Sequence, residues 1–366
     1  MSRGRFEQKK EKPRKGKIIL IVLAVLLALI AAAVIAGVIY YNSMLNKMTH
    51  VEVPEIQYTT APTESESAEE ETTEATTEPT ETVHIPSSED YINFLVVGQA
   101  SRYGDEEHMA DTMMLFTLNT YEKTITQTSI LRDTLIGASG PYKNHRWGNI
   151  KINTVYHLGY TWDGAAGSMA VMNQTLYDNF GIEVDHNIEI SFDAFLHIIN
   201  ALGGIEIELT EAEAKYLNDD DLWVTYDVEP GLQKLDGMAA LCYARMRKAE
   251  GDADSDIVRT ARQRKFVEAI MEKVKDMSLK KLQKIANKVL PYITTSMSNE
   301  EITDMLLTFL PMITELEINN NGVCPANGWG DMVDIYNDGT YHSVMRFVPE
   351  QTKKEMRAIT EGEIAN

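Results

Sequence analysis

A run of 24 residues without a Lys, Arg, Asp or Glu side chain, Ile18–Tyr41, constrains this chain more than any other feature. As a helix it is about 36 Å long at 1.5 Å per residue, which is enough to cross a hydrocarbon core of about 30 Å. The apolar region of a cleaved signal peptide is usually only about 7 to 15 residues, although the small residues 31–33 resemble a cleavage site. The run therefore predicts one transmembrane helix, with cleavage as the minor alternative.

The charges that flank this run predict its orientation. Residues 1–17 carry eight Lys and Arg side chains against two Glu side chains. Because positively charged flanks stay in the cytoplasm, we interpret residues 1–17 as a cytoplasmic basic tail and expect everything after Tyr41 to lie outside. The expected location is the cell membrane, crossed once, with the N-terminus cytoplasmic and the C-terminal domain extracellular.

Residues 59–82 have a composition that cannot form a core. They contain nine Thr and eight Glu but no Lys or Arg. Such a segment is expected to be extended and self-repelling, because it has too little apolar surface to offset the entropy lost on ordering. We therefore predict a disordered, Thr/Glu-rich extracellular stalk over residues 42–87, which would hold the following domain away from the bilayer.

Composition and missing motifs exclude several classes of protein. The net charge of −21 argues against a general nucleic-acid binder, which needs clustered Lys and Arg. Two cysteines are too few for a disulfide scaffold, although Cys242 and Cys324 could either form one disulfide or stay unpaired. HExxH, Walker A, GxSxG and CxxC motifs are absent from the sequence, so metalloprotease, nucleotide hydrolase, serine hydrolase and thioredoxin functions have no support.

From about residue 88, short apolar runs alternate with segments of helical spacing. Two β-rich runs on either side of residues 119–123 predict a hairpin. The interleaving of strands and helices predicts an α/β fold with a central mixed sheet covered by helices. The predicted strands are Tyr91–Val97, Thr112–Leu118, Thr124–Leu131 and Ile205–Leu209, and the predicted helices are Ala165–Phe180 and Ser191–Leu202.

Two segments concentrate cations in this acidic region. In Tyr243–Arg247, an extended backbone would place Arg245 and Arg247 on one face, whereas a helix would make them diverge. A second helix is predicted over Ser255–Met277 with Ser255 as its N-cap. One stripe of this helix carries Arg259, Arg262, Gln263, Phe266 and Ile270.

Arg132, at the end of the second hairpin strand, could join these arginines around an anion. Guanidinium groups fit phosphate oxygens bidentately, which favours a pyrophosphate or a phosphodiester as the ligand. The alternative is that the arginines lie on the surface, paired with the abundant Asp and Glu. Spacing alone leaves both interpretations open.

Seven segments in order resemble the LytR-CpsA-Psr (LCP) family, over about residues 90–275. Each segment alone is a weak signal, but the ordered set is specific, and the predicted anchor, stalk and external domain also look like this family's layout. The segments are NFLVVGQ (93–99), ADTMML (110–115), SILRD (129–133), KIN (151–153), LGGIEIEL (202–209), YARMR (243–247) and SDIVRTARQRKF (255–266).

The resemblance implies an α-β-α sandwich outside the membrane of a Gram-positive type bacterium. It implies a catalytic domain over residues 88–275, with residues 276–366 as a C-terminal accessory extension. It also implies a phosphotransferase that works with Mg²⁺. Such an enzyme moves a glycopolymer, such as teichoic acid or capsule, from a polyprenyl-pyrophosphate carrier to a peptidoglycan hydroxyl and forms a phosphodiester in cell wall biogenesis. An apolar tunnel would hold the prenyl chain, although Met- and Leu-rich stretches are more often plain core.

The resemblance also implies roles for single residues. Asp111 matches a carboxylate tied to Mg²⁺ and to activation of the attacking hydroxyl. Arg132 and Asp133 complete the implied catalytic set, with Asp133 expected to orient Arg132. The implied pyrophosphate-binding residues are Arg132, Arg245, Arg247, Arg259 and Gln263.

Two positions depart from the family's pattern. Ala100 stands where the family usually has an Asp, and Met109 stands where it has an Arg. One metal-linked carboxylate and one phosphate-binding arginine are thus replaced together, which also allows a function without catalysis. The alternative function is therefore a non-catalytic binder or regulator that recognises polyprenyl-phosphate-linked cell-wall intermediates.

Overall fold

The computed structural model divides the chain into two compact units, Met1–Lys47 and Met48–Asn366. In the first unit, residues 37–45 form helix α1. Among the helices that are described, none is long and apolar enough to span a bilayer. Residues 1–36, with the predicted basic tail and most of the predicted transmembrane helix, lie outside the described residues, so both stay predictions. The described ranges are 37–54, 90–99, 108–139, 146–219, 226–247, 249, 256–275, 277–309, 315–325, 330–337 and 340–362.

A mixed sheet of seven strands forms the centre of the second unit. The pairs β1–β10, β7–β2 and β4–β11 are parallel, and the other three neighbouring pairs are antiparallel. The predicted hairpin is confirmed as β3–β4. In spatial order the strands are β1 (Thr49–His50), β10 (Ile293–Thr295), β7 (His186–Ser191), β2 (Tyr91–Gln99), β3 (Ala110–Asn119), β4 (Thr124–Ile130) and β11 (Glu317–Cys324).

Three two-stranded antiparallel sheets and eight α-helices complete the described part of this unit. The two-stranded sheets are β5 (Leu135–Ser139) with β6 (Arg146–Lys151), β8 (Ile205–Leu209) with β9 (Gly231–Leu235), and β12 (Gly330–Asn337) with β13 (Thr340–Phe347). The helices are α2 (Ile152–Phe180), α3 (Phe192–Leu202), α4 (Glu211–Leu217), α5 (Gly237–Arg245), α6 (Asp256–Lys275), α7 (Leu279–Val289), α8 (Asn299–Phe309) and α9 (Pro349–Thr360).

Helices cover both faces of the sheet. Alternate residues of a strand point to opposite faces, so Leu95 and Val97 of β2 pack against α2 and α9 in one buried apolar cluster. A second cluster joins α3, α5 and α6 through residues such as Ile199, Tyr243 and Phe266. The predicted α/β class with a central mixed sheet between helical layers is confirmed.

Helix α2 is longer than the predicted helix 165–180, because it contains two helical segments. They meet at Asp163 and Gly164, where Gly164 has a positive φ of 56° that favours glycine. The two segments then approach closely, since a Cβ on Gly159 would lie 2.4 Å from the carbonyl oxygen of Gly167. The first segment begins at Ile152, which places Lys151 at its N-terminal end.

The segment after residue 275 is part of the sheet. Strands β10 and β11 pair with β7 and β4, and Met356 of α9 is buried in the cluster around Leu95 and Val97. Without these strands, the remaining four-stranded sheet β7–β2–β3–β4 would expose unpaired backbone groups at both edges. The predicted accessory extension 276–366 therefore contributes strands and core residues to the domain that precedes it.

The predicted stalk also contains a strand. Thr49 and His50 form β1 and pair in parallel with Thr294 and Thr295. The Nδ1 of His50 lies 2.7 Å from the carbonyl oxygen of Met297. The stalk prediction over 42–87 is thus corrected at these residues, because long-range pairing that the local composition did not reveal holds them in the sheet. Residues 55–89, which contain the Thr/Glu-rich run, lie outside the described residues.

Cys242 and Cys324 are both free thiols, so the two cysteines do not form a disulfide in the structure. Burial raises the pKa of both thiols, and Cys324 is fully enclosed. Cys324 is therefore expected to resist a maleimide reagent in the folded protein and to react after unfolding in denaturant, as followed by mass spectrometry. A disulfide-linked peptide pair containing Cys242 and Cys324 would contradict this expectation.

Candidate functional site

One edge of the central sheet gathers the residues that both the cation pattern and the family resemblance single out. Parallel strands β2 and β7 end there at Gln99 and Ser191, and β3 begins there at Ala110. Because β4 runs antiparallel to β3, its C-terminal end and the following Arg132 reach the same edge. The strand directions alone therefore bring Asp111 and Arg132 together. We call this edge the site edge.

A cavity of about 400 Å³ opens at the site edge, between the sheet and helices α3, α5 and α6. Its walls are mostly apolar. Gly98 belongs to the wall, and a Cβ there would lie 3.0 Å from the Cβ of Thr112, so a side chain would not fit without displacement. The apolar wall residues include Met114, Phe116, Ile190, Phe195, Phe266 and Ile270.

A second cavity of about 190 Å³ lies further along the same face of the sheet, away from the site edge. It shares Val96, Phe116 and Val267 with the first cavity, and it continues to Ile318 on β11. This face of the sheet therefore contains two adjoining apolar cavities. They lie where an apolar tunnel, the alternative to plain core, would be.

The polar end of the first cavity carries the cations. Helix α5 ends at Arg245, and Met246 then has extended dihedral angles, φ −59° and ψ 124°. This change of backbone lets both Arg245 and Arg247 line the cavity, as the extended interpretation of this segment required. Both side chains are exposed, and the guanidinium carbon of Arg245 lies 4.7 Å from the ring centroid of Phe192. Exposed cations at the mouth are available to a ligand.

Buried groups at the same end are tightly connected. The Nη1 of Arg132 donates to the Oδ1 of Asp111 at 2.6 Å. The Nη2 of Arg259 donates to the backbone oxygen of Asp111 at 3.1 Å. Asp111 and Arg259 line the cavity together with Gln263, whose side-chain amide donates to the carbonyl of Ala244 at 3.4 Å. Asp111 is thus fixed between two guanidinium groups.

Arg132 and Asp133 lie behind Asp111, since neither lines the cavity. The Nε of Arg132 is 3.6 Å from the Oδ2 of Asp133, and the Nζ of Lys151 is 2.7 Å from its Oδ1. Asp133 therefore bridges Arg132 and Lys151. This placement agrees with an orienting role and keeps Asp133 away from a ligand in the cavity.

Asp256 is a site residue that sequence reasoning missed. Its Oδ2 accepts a hydrogen bond from the backbone N–H of Arg132 at 3.1 Å, and its Oδ1 pairs with the Nη2 of Arg259. Burial raises the pKa of Asp256, and the positive charges of Arg259 and Arg132 oppose that shift. The signal that could have found it is the three-residue spacing to Arg259 in the first turn of α6.

Two guanidinium donors of this network stay unsatisfied. In the part of the chain that the structure describes, the Nε atoms of Arg132 and Arg259 are buried and lack a hydrogen-bond acceptor. Buried donors without a partner cost free energy, more so when the group is charged. Burial accordingly lowers the pKa of Arg259. Of these two arginines, Arg259 lines the cavity, so an anion bound there is placed to accept from its guanidinium group.

Arg262 does not belong to the site. Its Nε donates to the Oε1 of Glu213 at 2.8 Å and its Nη1 to the carbonyl of Met246 at 3.3 Å. The predicted stripe of α6 therefore divides: Arg259, Gln263, Phe266 and Ile270 line the cavity, whereas Arg262 faces α4.

The described cavity wall has few carboxylates that could bind a metal ion. Of the described residues that line the cavity, only Asp111 has a carboxylate. Within the described ranges, no group of three or more His, Cys, Asp or Glu side chains is arranged to hold a metal ion. Met109 supplies a thioether 4.0 Å from the Nδ2 of Asn153, and Ala100 lies outside the described residues. A divalent cation would have to rely on Asp111 and on oxygens of a bound ligand.

Two relatives and one solved structure show what this chain is similar to. It is 31% identical over 194 residues to Biofilm regulatory protein A of Streptococcus mutans, which covers 52% of this chain and 45% of that protein. It is 32% identical over 187 residues to the polyisoprenyl-teichoic acid–peptidoglycan teichoic acid transferase TagU of Halalkalibacterium halodurans, covering 51% and 54%. The chain thus spans about half the length of these curated relatives.

The fold is similar to that of the LytR-CPS2A-psr family protein YwtF (TagT), solved with bound octaprenyl pyrophosphate lipid. The TM-score is 0.52 at 20% identity, and the match covers 76% of this chain and 94% of that one. The model of the LytR_cpsA_psr family matches residues 57–356, which is most of the chain. Because the family model matches more than half of the chain and the fold agrees with it, the protein belongs to the LytR-CpsA-Psr family.

Proposed function

We propose that this protein is a membrane-anchored phosphotransferase that moves a glycopolymer from a polyprenyl-pyrophosphate carrier to a peptidoglycan hydroxyl. The observation that carries the proposal is the joining of a guanidinium cluster to the mouth of an apolar cavity. A polyprenyl pyrophosphate has the same two parts, a doubly charged head and an apolar chain. The transferase name of TagU and the lipid bound to TagT support this ligand class.

In the proposed complex, the prenyl chain occupies the apolar cavity and extends toward the second one. Burying each CH₂ group stabilises the complex by about 0.8 kcal/mol, so several isoprene units give substantial affinity. Arg245, Arg247 and Arg259 surround the pyrophosphate. Guanidinium groups in a partly dry site stabilise the charge that develops on the leaving polyprenyl phosphate.

Asp111 is the proposed base. The acceptor hydroxyl oxygen forms a bond to the phosphorus that carries the glycopolymer, the bond from that phosphorus to the bridging oxygen breaks, and polyprenyl phosphate leaves. The hydroxyl proton passes to the Asp111 carboxylate, which Arg132 holds in place at 2.6 Å. Asp256 keeps Arg132 and Arg259 oriented toward this carboxylate.

Mg²⁺ is the proposed cofactor. Mg²⁺ often binds through one or two carboxylates together with substrate phosphate oxygens and water. Asp111 fits that role as the carboxylate of the described cavity wall. When bound, the ion would neutralise part of the pyrophosphate charge.

The proposal includes a location and a cell type. Residues 18–41 anchor the protein as one membrane-spanning helix, the N-terminus is cytoplasmic, and the domain faces the wall of a Gram-positive type cell, where teichoic acid or capsule is attached. The support is the apolar run with its basic flank.

A second function, a binder that does not turn its ligand over, is favoured by one observation. Met109 places a thioether beside Asn153, in the position where the family resemblance implies an arginine. Such a protein would keep the exposed cations Arg245 and Arg247 and would bind the lipid intermediate without releasing polyprenyl phosphate.

One experiment separates the two functions. The full chain in liposomes would be mixed with a pyrophosphate-linked glycopolymer lipid, peptidoglycan and Mg²⁺, and the release of polyprenyl phosphate would be measured by mass spectrometry. Release that depends on peptidoglycan supports the transferase. Binding without release supports the binder, and neither binding nor release rejects both functions.

Arg247→Ala is expected to weaken binding of the pyrophosphate lipid by at least about tenfold, because a hydrogen bond to a charged group contributes about 1.5–3 kcal/mol. Binding would be measured by titration with a fluorescent polyprenyl pyrophosphate. Arg346→Ala is the matched control, since Arg346 is also exposed but lies on β13 and not among the cavity residues. Equal losses in both variants would show that the effect is general electrostatics.

A further inference from the structure

Helix α7 is a basic helix in an acidic protein. It contains Lys280, Lys281, Lys284 and Lys288 and no Asp or Glu, although the whole chain has a net charge of −21. At 100° per residue these four lysines fall within an arc of about 100°. All four are exposed, and within the described residues none of them forms an ion pair. The face is therefore a concentrated positive surface.

The apolar side of α7 packs against helix α3, which forms part of the cavity wall. Ile285 packs in the apolar cluster that contains Phe195 and Ile198 of α3. Phe195 and Ile198 also line the cavity. The lysines thus lie on the outer side of the layer that encloses the proposed lipid site.

A short 3₁₀ turn, Leu290–Tyr292, follows α7 and leads into β10. Tyr292 is 41% exposed, and its ring stacks on that of His197 with centroids 4.1 Å apart. Pro291 is exposed as well. Tyrosine is enriched at the boundary between lipid and water, where its ring and its hydroxyl meet different surroundings.

Strand directions place this surface at the site edge. Ile293 pairs with Ile190, near the C-terminal end of β7, so the preceding Tyr292 lies at the site edge. β1 is parallel to β10, with Thr49 opposite Thr294. The chain therefore enters β1 from the site edge, beside the 3₁₀ turn.

The connection from the predicted transmembrane helix to β1 is short. Only residues 42–48 lie between Tyr41 and Thr49, and even a fully extended segment of this length spans at most about 28 Å. β1 therefore follows the predicted membrane segment closely in the sequence. The C-terminal end of α7 leads into the 3₁₀ turn at the same edge of the sheet.

We propose that α7 and the 3₁₀ turn Leu290–Tyr292 form a membrane-docking surface for anionic lipid headgroups. Lysines near an anionic bilayer are attracted electrostatically, and the adjacent tyrosine suits the interface. Docking would present the cavity mouth to a lipid-linked ligand that stays in the bilayer. The proposal rests on the predicted membrane segment and is independent of whether the site catalyses transfer.

The test uses lysine acetylation footprinting of the full chain in nanodiscs, read by mass spectrometry. One set of discs contains only phosphatidylcholine, and the other also contains phosphatidylglycerol. Acetylation of Lys284 and Lys288 is expected to slow by at least about threefold in the anionic discs and to recover at about 1 M salt, where screening is strong. Lys234 on β9 and Lys354 on α9, both exposed, are internal controls whose rates should not change.

A charge-reversal pair sharpens the result. Lys281→Glu with Lys284→Glu should remove the protection of Lys288, whereas Lys234→Glu with Lys354→Glu should leave it intact. Equal acetylation of α7 in both kinds of disc, measured on the unaltered protein, would overturn the proposal. Protection by a soluble polyglycerol phosphate in neutral discs, without protection by phosphatidylglycerol, would also overturn it and would identify the surface as a site for an anionic polymer.

Discussion

Asp111→Asn is expected to lower the rate of polyprenyl phosphate release by at least about a hundredfold, since a positioned general base contributes about 10²- to 10⁴-fold. The asparagine oxygen can still accept the hydrogen bond that Arg132 donates to Asp111 at 2.6 Å. The amide cannot take a proton from the acceptor hydroxyl. Affinity for the pyrophosphate lipid without Mg²⁺ should stay within about threefold, because the arginines are unchanged.

The rate would be measured in single turnovers, and affinity by titration with a fluorescent lipid. Asp178→Asn is a matched control, since Asp178 is exposed on α2 and remote from the cavity wall. A variant Asp111→Asn that turns over normally would remove Asp111 from the proposed role of base. A variant that loses affinity as much as rate would show that the carboxylate acts in binding the lipid.

Arg262→Met is expected to lower the free energy of unfolding by about 3–5 kcal/mol, because it leaves the buried carboxylate of Glu213 without its partner. Arg262 and Glu213 are 6% exposed each, and their side chains meet at 2.8 Å. The effect would be measured by urea unfolding of the full chain in detergent, followed by tryptophan fluorescence. Lipid affinity of the folded variant should change little, because Arg262 does not line the cavity.

A second variant keeps this expectation testable. Adding Glu213→Gln to Arg262→Met should restore most of the lost stability, because glutamine is neutral and can still accept the hydrogen bond from the backbone N–H of Thr210. If the double variant were as unstable as the single one, the loss would come from packing of the arginine stem and not from an unpaired charge.

The same pair predicts a pH dependence. Burial pushes the pKa of Glu213 upward, but the Thr210 backbone N–H and Arg262 together push it further down, and the net pKa lies below the ordinary value. A lowered pKa contributes stability that is present above the unfolded-state pKa and is lost as pH falls through the folded-state pKa. Without Arg262 the pKa of Glu213 should rise, so the deficit of Arg262→Met should be large at neutral pH and shrink toward about pH 4.

Local patterns predicted the parts of the fold that neighbouring residues determine. The hairpin β3–β4 follows from two β-rich runs around a polar turn, and α3 follows from the predicted helix Ser191–Leu202. The sequence left the backbone at Arg245–Arg247 open, since the helical and extended alternatives differ only in where α5 ends. In the structure, helix α5 ends at Arg245 and the backbone is extended at Met246.

Long-range pairing accounts for what the sequence did not predict. β1 has two residues and β10 has three, and each is stable only because a partner distant in the chain satisfies its backbone groups. The position of Asp256 depends likewise on Arg132, which lies 124 residues earlier. The spacing of α6 placed Arg262 on the same stripe as Arg259. That spacing contains no information on its partner Glu213, which lies on α4.

The pairing of β1 with β10 affects how freely the length of the Thr/Glu-rich segment can vary. Because β1 and β2 belong to one sheet, residues 51–90 connect two strands of the same sheet. For a flexible connection, each doubling of length costs only about 0.6 kcal/mol of closure entropy. The segment can therefore lengthen or shorten during evolution at little thermodynamic cost, because both of its ends belong to the same sheet.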